Sequence, residues 1–352
     1  MQILRGRSRE ILWMLVATAL FVTVAYFTFG FKFLSSPTVA AETNTWIGGA
    51  TGVWETAGNW SLGVVPTSTT IVVISSSTVT LSSGQTADFG TLQIGDGTNT
   101  STLILVGNIG TGGSITIKNK GYLEQKNTTT QTITGTMTIE NGGTLTHTAN
   151  DTSQSYELDF AIGTLDVQSG GSINVDGKGY TGGLGVNPGN GPGAGKTRVG
   201  GSGSSDGSGA GHGGDGGITD EGHVGGVAYC DITNPATIGS GGGGVGSGSS
   251  VQGGSGGGLI ILNVTGTSTI NGTISAKGSM GANNGAGNGA GGGAGGGVKI
   301  TAGTIAGTPT SFSVVGGDGH NTGTGSGAGG GGCVLLTYTT STSITGTSIT
   351  MR

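Results

Sequence analysis

Five side chains able to bind a metal fall close together in GHGGDGGITDEGHVGG, residues 211–226: His212, Asp215, Asp220, Glu221 and His223. Imidazoles and carboxylates could share a divalent ion. Their spacing matches no mechanistic motif, nor the regular aspartates of the glycine-rich calcium repeat. A solvated loop is the reading preferred. GPGAGKT, residues 191–197, carries the lysine and threonine of a phosphate-binding loop. That loop needs a glycine where Asn190 stands, a buried strand before it and a helix after it. The sequence offers none of these, so the match is read as chance in a glycine-rich background. Glycoside hydrolysis needs two carboxyl groups facing each other across a groove. Asp159, Asp166 and Asp176 lie near strands, but at alternating polar positions expected to face water. Basic residues that would neutralise a uronic acid are limited to Lys118, Lys120, Lys126, Lys178 and Lys299. No catalytic, cofactor-binding or metal-binding residue is assigned on this basis, and the chain is read as a non-enzyme without a cofactor.

Threonine recurs on alternate positions at Thr132, Thr134, Thr136 and Thr138, and again at Thr144, Thr146 and Thr148. Alternation places them on one face of a strand. Flat threonine arrays on β-solenoids resemble those of ice-binding proteins. Threonine also simply suits exposed strands, and the arrays are not in register over many repeats in the sequence.

These residues must be held by something, and composition narrows what. The chain has 352 residues, of which 82 are glycine and 6 proline, with 9% charged and 5% aromatic. Collagen is excluded by the lack of a strict Gly-X-Y period. A net charge of −5 without a basic run argues against nucleic-acid binding. Arg5, Arg7 and Arg9 precede an apolar stretch over residues 11–31, and Val39-Ala40-Ala41 follows. That order is an export signal cleaved after Ala41, or an anchor that spans a bilayer if uncleaved. Either way the remainder is expected outside the cytoplasm. Residues 11–31 are the only expected membrane contact.

Two repeats set the fold. Glycine, a hydroxyl residue, then apolar-polar-apolar occurs at Gly113-SITI, Gly171-SINV and Gly272-TISA, at Gly143-TLTH with a weaker end at His147, and in a looser copy from Ser311. Alternation of this kind marks a half-buried strand. A triple glycine runs straight into a strand at Gly256 (LIILNV), Gly295 (VKIT) and Gly330 (CVLLTY), with a shorter relative at Gly225-Gly226-VAYCDI. Such repeats cannot bury an apolar face alone but can when stacked. The fold class expected is all-β: a parallel β-helix or β-solenoid with long polyglycine-like loops, preceded by an apolar export helix. An antiparallel sandwich is the structural alternative. The organisation expected is an export segment over 1–41, a tryptophan-rich cap over 42–75, a Thr-rich solenoid over 76–180 and glycine-rich repeats over 181–352. Successive glycine tracts leave the repeat at one place, so they are expected to lie side by side as a hydrogen-bonded layer; a series of flexible loops is the alternative, which composition alone supports about as well. If Cys230 and Cys333 sit in stacked strands, they are three rungs apart, about 14 Å. A disulfide needs Cα atoms within about 7 Å. Two unpaired thiols are expected.

Trp46, Trp54, Gly58, Asn59, Trp60, Ser61, Gly63 and Pro66 form W-x7-W-x3-GNWS-x-G-x2-P, followed at once by strands. This resembles the start of bacterial secreted β-solenoid surface proteins, including autotransporter passenger-like and adhesin-like chains. The motif covers about 25 residues, and the repeat resemblance is largely compositional. It implies an extracellular structural or adhesive role and carries over no catalytic residue. The partners it implies are surface glycans or other cell-surface proteins. A secreted carbohydrate-active β-helix enzyme is the alternative, and an ice-binding protein a distant one.

Overall fold

The computed structural model describes residues 40–197, 206–245, 250–283, 288–320, 325–344 and 349–350. The expected export segment, apart from Ala40 and Ala41, lies outside these residues. Apolar residues alternate with Thr, Ser and Asn along the chain, which suits strands with one buried face. Eighteen strands form among the described residues, numbered in chain order. The odd-numbered strands are β1 (Thr43–Thr45), β3 (Ile71–Ile74), β5 (Thr86–Ile94), β7 (Asn108–Ile117), β9 (Gln131–Ile139), β11 (Leu158–Val167), β13 (Leu259–Ile270), β15 (Gly297–Gly307) and β17 (Cys333–Ile344). The even-numbered are β2 (Thr51–Val53), β4 (Thr78–Leu81), β6 (Ser101–Leu105), β8 (Gly121–Gln125), β10 (Thr144–His147), β12 (Ser172–Asn174), β14 (Thr273–Ser275), β16 (Ser311–Ser313) and β18 (Ile349–Thr350). Odd strands stack in order as one nine-stranded sheet and even strands as another. Every pairing between these strands is parallel. The expected parallel β-helix is therefore present. Among the described residues the only helical segment is a 3-10 turn at Ala57–Asn59.

Register builds the core. In the odd sheet Leu92, Ile115, Met137 and Leu165 stack, all buried. In the even sheet Val79, Leu103, Leu123, Leu145, Ile173, Ile274 and Phe312 form one column. The longer odd strands shift register partway along. Glycines sit at that bend because neighbouring rungs touch there. A Cβ on Gly113 would lie 1.8 Å from the Gly90 carbonyl oxygen. The four copies of one sequence pattern separate here: Gly113-SITI lies in the odd sheet, while Gly143-TLTH, Gly171-SINV and Gly272-TISA stack in the even one.

The tryptophan motif packs into the end of this core. Trp46, Trp54 and Trp60 are all buried. Trp60 meets Trp46 edge-on at 5.1 Å and Trp54 at 4.8 Å between ring centroids. The Trp60 indole N–H donates to the Trp54 carbonyl at 2.7 Å. Buried rings of this kind have no open face on which a sugar could stack.

Candidate functional site

Glycine tracts leave the rungs after β12, β14 and β16, and return at β13, β15 and β17. They pack as a lattice. Successive amides of the tract 289–297 donate to different neighbours, and each neighbour recurs every third residue. Gly291 and Ala294 donate to Gly243 and Ser240; Gly292 and Gly295 donate to Gly327 and Gly330; Ala290, Gly293 and Gly296 donate to Ala282, Ser279 and Ala276. The carbonyls behave alike. Those of Gly289 and Gly292 accept from Gly207 and Ala210, those of Ala290 and Gly293 from His320 and Gly317, and those of Gly291 and Ala294 from Gly254 and Gly257. One tract thus has six hydrogen-bonded neighbours. Three residues per turn without internal hydrogen bonds is the geometry of a polyproline II helix.

Glycine is required here for closeness, not for an unusual φ. No glycine of 289–297 adopts the left-handed conformation. A Cβ on Gly292 would sit 1.9 Å from the Gly317 carbonyl oxygen, and one on Gly291 1.9 Å from that of Ser208. The interior of this region is backbone. Buried amides must be paired, and a threefold tract pairs them outward in three directions at once.

His147 fastens the lattice to the solenoid. It ends β10 and is fully buried. Its Nδ1 lies 2.7 Å from the Thr148 carbonyl, and its Nε2 accepts the Leu259 amide at 3.3 Å. Lys178 Nζ donates to the His147 carbonyl at 2.5 Å. Burial, with Lys178 adding to it, holds the imidazole down at about 4, and the Thr148 contact opposes this. The neutral ring therefore ties β10, one even strand before the long excursion leaves at β12, to the start of β13, where the chain returns.

The five metal-capable residues of 211–226 do not converge. Asp215 Oδ1 accepts from the Ala228 amide at 2.7 Å, and Asp220 Oδ2 from the Gly325 amide at 2.8 Å. Glu221 and His223 pair with each other at 3.6 Å. His212 alone turns inward and is fully buried. The phosphate-loop match is no cradle: the Gly193 and Lys196 amides bond to Ser240 Oγ and Ser208 Oγ, and the Gly195 amide to the Gly241 carbonyl. Asp159 Oδ2 accepts from Thr130 Oγ1 at 2.6 Å, Asp166 from Gln168 at 3.2 Å, and Asp176 from Ser275 and the Lys277 amide, each at 2.6 Å.

The expectation of two unpaired thiols is overturned. Cys230 and Cys333 form a disulfide with Cα atoms 6.5 Å apart. The reason is that VAYCDI, residues 227–232, is not a strand. Between β12 and β13 the described residues make no rung, only isolated bridges such as Leu184 to Gln252. Rung counting does not apply to Cys230, which lies in an excursion folded back against the start of β17. A ring nitrogen of His212 and both sulfur atoms lie within 4.8 Å of one another. His212 Nε2 is 2.9 Å from Thr237 Oγ1, while Nδ1 is buried without a hydrogen bond. The Tyr229 ring packs against His212 at 4.9 Å, and burial pushes the Tyr229 phenol well up. Burial also holds the His212 ring down at about 4, with the Gly295, Gly296 and Thr237 contacts opposing.

The hydroxyl arrays are in better register than the sequence suggests. In the even sheet Thr51, Thr78, Thr102, Tyr122, Thr144, Ser172, Thr273 and Ser311 form one outward column. The odd sheet stacks Thr91 on Ser114, Thr136 on Thr164, and Thr267 on Thr304 and Thr340. On the N-terminal side of its bend, a groove of about 400 Å³ is lined by Ala161, Asn263, Thr265, Thr301, Thr337 and Tyr338. No protein-family model, curated protein or solved structure matches the chain.

Proposed function

We propose that this is an exported, non-enzymatic structural or adhesive protein of the cell surface. The observation that carries it is the six-neighbour glycine lattice joined to a stacked β-solenoid. Two interiors of different kinds brace each other, which suits a stiff scaffold. The large apolar side chains left exposed around the glycine-rich region support an adhesive use. Leu184, Ile218, Val224, Val227, Ile232 and Met280 are each more than half exposed, and exposed apolar groups in number mark interaction sites. The partner is a surface glycan or another surface protein, held through such positions and through the Tyr338 groove. Incubation with a panel of cell-surface polysaccharides tests this. Retention without new reducing or unsaturated ends is expected. New ends that vanish in Asp166→Asn would make the protein an enzyme instead.

The registered hydroxyl columns favour a second reading, binding to an ice lattice. Repeats of about 4.8 Å between rungs would set the spacing of such a surface. Thermal hysteresis lost in Thr136→Tyr would support it, and its absence in the unaltered protein would dismiss it.

A further inference from the structure

We infer that His212, Cys230 and Cys333 form a redox-gated site for a soft d10 metal ion of the Zn2+ class. Oxidised, the two cysteines are a cross-link. Reduced, they present two thiolates and an imidazole to one ion.

Three features support this. The three potential donor atoms already lie within 4.8 Å of one another. Two thiolates and an imidazole with a fourth position left for water is a known zinc set, and thiolates select soft ions over magnesium or calcium. Second, the histidine is held as a ligand is held. Nε2 is engaged by Thr237 Oγ1 at 2.9 Å, leaving Nδ1, which is buried and makes no hydrogen bond. Metal-bound histidines characteristically donate their other ring N–H to a fixed acceptor. A buried nitrogen without a partner is costly, and an ion would satisfy it. Third, there is an entry path. A cleft of about 590 Å³ reaches Cys333, lined by Gly213, Asp215, Ile232, Gly331 and Val334 among others. The cleft supplies room for the fourth ligand and for a reductant.

The chemistry balances with a dithiol as reductant. One thiolate attacks a disulfide sulfur and forms a mixed disulfide. The second thiol of the reductant then closes its own ring. Two electrons and two protons pass to Cys230 and Cys333, and the reductant leaves as a cyclic disulfide. Binding of a divalent ion displaces both thiol protons to solvent, so affinity rises with pH.

The full chain, reduced and then freed of reductant under anaerobic conditions, is titrated with Co2+ as the spectroscopic probe. The expected result is one equivalent bound, with tetrahedral ligand-field bands and a sulfur-to-cobalt charge-transfer band, both abolished by Zn2+. The oxidised chain shows neither. His212→Gln, which leaves both cysteines in place, should lose the tetrahedral spectrum. Thr237→Val should weaken binding by about 10–100-fold while keeping the spectral shape. A reduced chain with no charge-transfer band, or one whose spectrum is unchanged in His212→Gln, overturns the site. If reduction loosens the fold, Zn2+ should raise the urea midpoint of the reduced chain but not that of His212→Gln. Equal midpoints with and without Zn2+ would likewise overturn it.

Discussion

The Thr-rich rungs and the glycine lattice bury their interiors by opposite means. In the rungs, side chains such as Leu103, Leu123 and Leu145 stack inward and the strands pair only with the rungs on either side. In the lattice, side chains are nearly absent and each tract pairs with as many as six others. Hydrophobic burial scales with apolar area removed from water, and glycine brings almost none. The lattice must rely on hydrogen bonds worth about 0.5–1.5 kcal/mol each, and on contact across very short distances. It also opposes the large entropy that glycine loses on ordering. One interior should fail when an atom is removed, the other when an atom is added.

The largest effect should come from removing atoms in a rung. Leu123→Ala should cost about 2–5 kcal/mol by urea denaturation, with little change in amide exchange at residues 288–297. Loss of protection in both regions at once would show that they fold as a single unit.

Acid should act on the seam between them. His147 is held at about 4 in the folded chain, below the ordinary imidazole value of 6.5. Its folded pKa is depressed, so the unfolded chain takes up the proton first as pH falls. Stability is unaffected by this group above pH 6.5 and falls between 6.5 and 4, by about 3 kcal/mol in all. His212 adds in the same direction. Urea midpoints measured from pH 7.5 to 4.5 should therefore decline, and His147→Asn should decline less steeply. A flat profile in the unaltered protein would remove His147 as the pH-sensitive fastening.

Adding one methyl group to the lattice is a smaller change with a diagnostic sign. Gly292→Ala restricts the unfolded chain, which alone would stabilise by about 0.4–1 kcal/mol. The new Cβ, 1.9 Å from the Gly317 oxygen, should outweigh that with an overpacking cost of about 1–3 kcal/mol. Exchange should speed up at Gly317 and Gly327 as well as at the mutated tract. The smallest effect is expected at Gly58, where a Cβ meets nothing within 4 Å. Gly58→Ala should lie within about 0.5 kcal/mol of the unaltered protein. If the two alanine variants are equally benign, the lattice is looser than described.

Much of the solenoid could be read directly. The alternation in Gly171-SINV and Gly272-TISA, and the triple glycines before Leu259 and Val298, set which side chains face inward, because side-chain direction along a strand has a period of two. Which sheet a copy joins could not be read: Gly113-SITI and Gly143-TLTH have one local pattern but lie in different sheets. His147 looked like a weak end to its repeat, and only the Leu259 amide, 112 residues away, explains it.

The sequence by itself determined strand, turn and the places where glycine tracts leave the rungs, since these rest on local conformational preference and on a two-residue period. It also determined that the tracts could approach closely, because glycine has no Cβ. The tertiary structure decided which tracts meet, and so that the 289–297 tract is paired in six directions. It decided that Cys230 and Cys333 meet beside His212. Tracts of near-identical composition carry no side-chain code for their neighbours. The order in which the solenoid stacks its rungs fixes where each tract begins and ends, and partner choice follows from that position.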